Sequence, residues 1–160
     1  MTWPVIDPAD LPAPPSDDRL ALAPLAPEHN ERDHAAWMSS IDHIRATPGF
    51  GAGDWGTDSW PFEMPLEQNL SDLEMHWGEF ERGEAYAYTV LDPVTDDVIG
   101  CVYVDPDDRG DGDAADVMVR SWVRATHADL DEHLAATVDR WLRTCWPIDR
   151  VRWPGRTIMR

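Results

Sequence analysis

Carboxylates are the reactive groups this sequence offers most freely, and their spacing limits what they can do. Residues 105–113 read DPDDRGDGD. Asp105, Asp107, Gly110, Asp111 and Asp113 partly follow the D-x-[DN]-x-[DN]-G pattern of a calcium loop. Arg109 falls on a ligand position, however, and strand-like text flanks the run, so a solvated connection is the better reading. In residues 47–62 (TPGFGAGDWGTDSWPF), Asp54, Trp55, Asp58 and Trp60 set carboxylates beside aromatic faces, two surfaces that together hold an organic cation. The histidines at 29, 34, 43, 76, 127 and 133 show neither HExxH nor Cys/His spacing, which argues against a metal centre. Cys101 and Cys145 form no motif, and no G-x-S-x-G, Walker or Rossmann run is present. What these patterns offer is a carboxylate and aromatic surface for an organic cation.

The composition fits that reading. The chain has 160 residues, about one domain, and is long enough to build a core without disulfide or metal staples. Thirteen basic residues, all arginine, stand against 31 acidic ones, a net charge of −18. That balance repels phosphate polyanions, so nucleic acid and anionic membranes are excluded as partners. The charge is also uneven: residues 1–116 carry −21 and residues 117–160 carry +3. The first part attracts cations and the second tolerates an anion. No apolar run reaches membrane-spanning length, and no basic segment followed by an apolar stretch opens the chain. With two unpatterned cysteines, the expected setting is the cytoplasm.

These side chains need elements to position them. Residues 1–18, with prolines at 4, 8, 12, 14 and 15, read as an extended, weakly ordered arm ahead of a single domain over 19–160. Residues 19–25 (RLALAPL) predict a short strand. Asn30 caps a helix carrying Trp37, Ile41 and Ile44, stopped by Pro48-Gly49. Leu66, Leu70, Leu73, Trp77 and Phe80 lie at 0, 4, 7, 11 and 14, the strongest helical stripe and a predicted core face, with Gly83 closing the helix. Strands follow at 85–91, 98–104 and 116–124. Asp129 and Glu132 make a capping box for a helix carrying Leu134, Val138, Trp141 and Cys145, and residues 150–153 are a last strand. The order β-α-α-β-β-β-α-β predicts a mixed α/β sandwich, mostly antiparallel with one parallel crossover.

That order resembles the GNAT N-acetyltransferase superfamily. LAPLAPEHNERDHAAW (22–37) is similar to the family's first strand and helix, and YTVLDPVTDDVIGCVYV (88–104) to its second and third strands with their hairpin. The resemblance spans roughly residues 19–153. The family's glycine-rich loop and its C-terminal helix and two strands are not matched.

The resemblance implies acetyl-CoA as co-substrate, bound where the fourth and fifth strands splay, with direct transfer of acetyl to an amine. On this chain it implies Asp116 as general base. It implies cofactor contacts from Ser121, Trp122, Val123, Arg124 and Thr126, with backbone amides of 121–123 as oxyanion donors. Asp54, Trp55, Asp58 and Trp60 match an acceptor-facing segment, so a small cationic amine is the expected substrate. Tyr86, Tyr88 and Tyr103 are strand packing residues that could also protonate a leaving thiolate. In the R/Q-x-x-G-x-G/A loop that holds pyrophosphate, this chain puts Thr126 first and Asp129 and Asp131 at the small positions. Asp129, Asp131 and Glu132 would then oppose phosphate at a helix start, each by roughly 0.3–1 kcal/mol, offset in part by Arg120, Arg124 and His127. The short C-terminus leaves sheet edges that a homodimer would cover. A non-catalytic binding or regulatory module on the same fold is the alternative.

Overall fold

A computed structural model of the chain describes residues 3–51, 60–107, 109 and 114–158. Five strands form one sheet in the order β1-β2-β3-β4-β5: Ala21–Pro24, Tyr86–Leu91, Val98–Asp105, Val117–Val123 and Val151–Arg152. The first four are antiparallel neighbours, and β4 pairs β5 in parallel, as the element order predicts. The last strand is shorter than the 150–153 read from sequence.

One face of the sheet is covered by α4 (Asp131–Cys145), which buries Leu134, Val138 and Trp141 against Val117, Val119 and Val123. The proline-rich arm lies on this face too, with a 3₁₀ turn at Pro8–Asp10, and is bonded in place. Trp3 Nε1–H donates to Gly83 O at 2.9 Å, Tyr86 Oη–H to Ile6 O at 2.9 Å, and Trp141 Nε1–H to Ala13 O at 3.0 Å. Buried indole and phenol donors need acceptors, and the arm's carbonyls supply them.

The other face carries α1 (Asn30–Met38), α2 (Ile41–Arg45) and α3 (Leu66–Arg82). The sequence predicts one helix over the first two; the chain breaks at Ser39-Ser40. Ser39 Oγ–H turns back to Ala36 O at 3.0 Å, and Ser40 Oγ accepts from the Ala125 amide at 2.9 Å. Serine hydroxyls compete with the helix ladder in this way. In α3 the predicted core stripe is rotated. Leu66 and Leu70 are 39% and 36% exposed, while Asn69 and Leu73 are buried. Gly83 ends α3 in the left-handed region, φ 73°, as expected. Across β3 and β4, Gly100 is required for close approach: a side chain there would strike the Trp122 carbonyl.

Candidate functional site

The rotation of α3 gives a cleft of about 390 Å³ between α1, α3 and β3. At its floor is Asp33, 4% exposed. Asn69 Nδ2–H donates to Asp33 Oδ2 at 3.1 Å and to Asn30 Oδ1 at 2.9 Å, while Asn69 Oδ1 accepts from Trp37 Nε1–H at 3.1 Å. An indole nitrogen can only donate, so it fixes the amide and aims the NH₂ at the carboxylate. Burial pushes the Asp33 carboxyl up to about 6, against the opposing pull of the Asn69 bond and of His76 and His34.

Trp37, Trp60 and Phe62 give the cleft aromatic walls, and Asp72, Glu79 and Asp105 also line it. No arginine lines it among the described residues. His76, whose Nδ1 lies 3.6 Å from Glu79 Oε1, is its one basic group there. Tyr103 closes the cleft toward β4, where its hydroxyl accepts from Trp122 Nε1–H at 3.0 Å. The surface is one of carboxylates and aromatic faces, complementary to an organic cation.

Of the acceptor residues read from sequence, Trp60 lies in this cleft, its ring 5.5 Å from that of Trp37. Asp54, Trp55 and Asp58 fall outside the described residues. Asp33, Asn69, Asp72 and Glu79 were missed. Their signal was i, i+3, i+7 and i+10 spacing of Asn69, Asp72, His76 and Glu79 on α3, a polar line beside the apolar stripe.

The residues assigned to β4 are all found on or beside that strand. Asp116 Oδ2 accepts from the amides of Asp149 (2.9 Å) and Arg150 (3.0 Å), bonds that hold its carboxyl below the ordinary value despite partial burial. This side chain ties the start of β5 to β4. The Arg124 amide donates to Ile99 O at 2.9 Å, so by alternation the backbone of Val119, Ser121 and Val123 faces away from β3. On that side the ladder with β5 ends at Met118↔Arg152. In the parallel register the next donor would be residue 154, which is proline and has no N–H. The ladder between β4 and β5 ends there.

The parted edge is covered. Val119 and Ser121 are 0% exposed and Val123 1%. Ser121 Oγ is buried and has no hydrogen-bond partner among the described residues, and Trp122 is fully buried. The turn at Pro48-Gly49 packs on Pro154-Gly155 beside Arg120, whose Nε–H donates to Gly49 O at 3.0 Å. Arg124 reaches Val98 O and Ser39 Oγ at 3.5 Å each, and Thr126 Oγ1 lies 2.9 Å from His127 Nδ1.

The helix start differs from the expectation in the opposite direction. Asp129 does not cap α4; the cap position is Leu130, with no side-chain bond. Asp129 pairs with Arg19 at 3.5 Å, and Asp131 makes a two-point pair with Arg156 at 2.7 and 3.1 Å. Two of the three carboxylates thus carry cationic partners. Among the described residues, no group of His, Cys, Asp or Glu is disposed to hold a metal ion, and no helix is long and apolar enough to cross a membrane.

Neither a family model nor a curated protein matches the sequence. Solved structures match the fold. A ribosomal-protein-S5-alanine acetyltransferase from Vibrio fischeri superposes with TM-score 0.62 at 12% identity, covering 86% of this chain and 71% of that one. FdhC, a nucleotide-linked sugar GNAT, gives 0.60 at 10%, covering 88% and 71%. The microcin C7 self-immunity acetyltransferase MccE, solved with acetyl-CoA and AMP, gives 0.60 at 11%, covering 91% and 74%. The chain has the GNAT acetyltransferase fold.

Proposed function

We propose that this protein is an acetyl-CoA-dependent N-acetyltransferase whose acceptor is a small cationic amine. The observation that carries the reading is the cleft of carboxylates and aromatic rings, joined to β4 by the Trp122–Tyr103 hydrogen bond. Acetyl-CoA supplies an acetyl group activated as a thioester. The chain's own part is to hold the amine, take its proton and exclude water. Burial makes Asp33 more basic than an ordinary carboxylate, so it suits proton acceptance better than Asp116, whose oxygen is engaged by two amides.

The covered edge favours a second reading, in which the cleft binds its amine without transfer. Incubating the protein with acetyl-CoA and a panel of amines, and following free thiol, separates the two. Amine-dependent thiol release supports the transferase. Amine binding by calorimetry with no release supports the binding module.

Leu66 and Leu70, exposed one turn apart on α3, form an apolar strip that a second copy would cover, and we take the working unit to be a homodimer. Sedimentation at micromolar concentration tests this. The free cysteines Cys101 and Cys145 suit a reducing cytoplasm.

A further inference from the structure

The geometry points to Asn69 as the positioning residue for Asp33: held from two sides by Trp37 and Asn30, its amide fixes the carboxylate in the orientation that meets the amine's proton. This rests on the transferase reading above and deepens it by naming what holds the base.

The hydrogen bonds of this network can run in one direction only. Asn30 Nδ2–H donates to Leu66 O at 3.2 Å, which leaves Asn30 Oδ1 to face Asn69. Asn69 Nδ2 donates one hydrogen to that oxygen at 2.9 Å and the other to Asp33 Oδ2 at 3.1 Å. Asn69 Oδ1 accepts from Trp37 Nε1–H at 3.1 Å. A backbone carbonyl only accepts and an indole only donates, so the two ends of the network fix both amides between them. Turning the Asn69 amide over would set its oxygen against two oxygens and its NH₂ against an indole N–H. Both Asn69 hydrogens are thereby committed, and Asp33 receives a donor that has no second orientation.

Packing does not call for this arrangement. Asn69 and Asp33 are 3% and 4% exposed and meet between α3 and α1, where two apolar side chains would need no desolvation. Replacing both partners of a buried polar pair by apolar groups of the same shape is close to neutral or stabilising. Three members of the network, Asp33, Trp37 and Asn69, line the cleft, so what the polar pair contributes is delivered there.

Charge alone does not aim an oxygen. His34 on α1, Asp72 and His76 on α3, and Cys101 and Tyr103 on β3 are the groups near enough to exchange electrostatic influence with Asp33. They bear on how readily the carboxyl ionises, and so does the Asn69 bond, which favours the charged form. A hydrogen bond also sets the direction of the carboxylate, and Asn69 supplies it. Proton transfer from an ammonium to a carboxylate oxygen needs that direction, because a group misplaced by about 1 Å loses up to about a hundredfold in rate.

The experiment compares the full chain with its Asn69→Leu and Asn30→Ala variants by two readouts. Carbon-13 NMR of protein labelled at the aspartate carboxyls, with the Asp33 signal assigned through Asp33→Asn, follows its titration without substrate. Free thiol is followed with acetyl-CoA and n-butylamine, benzylamine or phenethylamine between about pH 5 and 9. In Asn69→Leu the Asp33 titration should move up by about one pH unit, and in Asn30→Ala about half as far in the same direction. The acid limb of the amine-dependent rate should move with it. At about pH 8.5, where the carboxylate is ionised in every form, Asn69→Leu should still be about tenfold slower. Near-UV circular dichroism verifies folding, and Asn30→Ala carries the test if Asn69→Leu does not fold. An Asp33 titration unmoved in the folded variants overturns the inference, as does a rate that falls by one factor at every pH. A variant rate equal to the parent's at pH 8.5 also overturns it, because the carboxylate would then be no less well aimed. If the parent releases no thiol with any of these amines, the result counts against the transferase reading, and the titration alone then decides whether Asn69 holds Asp33.

Discussion

Trp122 Nε1–H donates to the Tyr103 hydroxyl at 3.0 Å, linking β4 to β3 on the face that holds the cleft. Trp122 is fully buried and Tyr103 is 7% exposed, so this bond has no water to replace it. Tyr103→Phe leaves the indole donor unpaired and should cost about 1–3 kcal/mol in denaturant unfolding. If the amine reading holds, KM for the amine should also rise, since Tyr103 forms part of the cleft wall. An unchanged unfolding midpoint would show that the bond contributes nothing.

Asp33 makes stability depend on pH in a direction unusual for a carboxylate. Its folded value, about 6, lies above the ordinary 3.8, so the neutral form is the one the fold favours. Well below pH 3.8 the folded and unfolded states are both protonated there, and the favourable contribution is complete. As pH rises through 6 that contribution is lost, at a cost of roughly 3 kcal/mol. Asp33→Asn should therefore be more stable than the parent by about 1–3 kcal/mol at pH 7.5 and no more stable at pH 4. Urea unfolding at both pH values measures this.

The Arg156–Asp131 pair secures the segment after β5 against the start of α4, with side chains only 9% and 23% exposed. Arg156→Ala should loosen the cover over β4. Amide exchange at Val119, Ser121 and Val123 is then expected to quicken severalfold, because the opening free energy falls by about 1 kcal/mol. Acetyl-CoA should restore protection in the variant more than it adds to the parent. Exchange that stays slow in the variant would place the cover elsewhere.

Gly100 has no room for a methyl group, which would meet the Trp122 carbonyl. Gly100→Ala should shift β3 against β4 and cost about 3 kcal/mol, read as a lowered melting temperature. The obstacle is backbone and has no rotamer to escape through.

Much of the fold was legible because it rests on periodicity. The β2 and β3 strands, the α4 stripe and the Gly83 helix end all follow local rules. The Ser39-Ser40 break was not legible, because Ser40 is engaged by the Ala125 amide, 85 residues away. The α3 stripe misled for a related reason: five apolar residues at helical spacing suggested the core, yet Asn69 takes the inner position because Trp37 and Asp33 await it there. In the site, Trp60 is the one acceptor residue read from sequence that falls among the described residues, and it lines the cleft. The buried acid Asp33 sits in a first helical turn, where an acidic residue ordinarily complements the helix dipole and signals nothing more. Acids opposing phosphate at α4 were read from type alone; their partners Arg19 and Arg156 come from elements far apart in sequence.

Proline at 154 has a consequence for how permanent the parting of β4 and β5 is. A pyrrolidine nitrogen carries no hydrogen, so the sheet cannot zip further along this seam, whatever the neighbouring turns do. Whatever occupies the seam never competes with a backbone rung for its place. The division is written into the covalent chain, and only its contents are exchangeable.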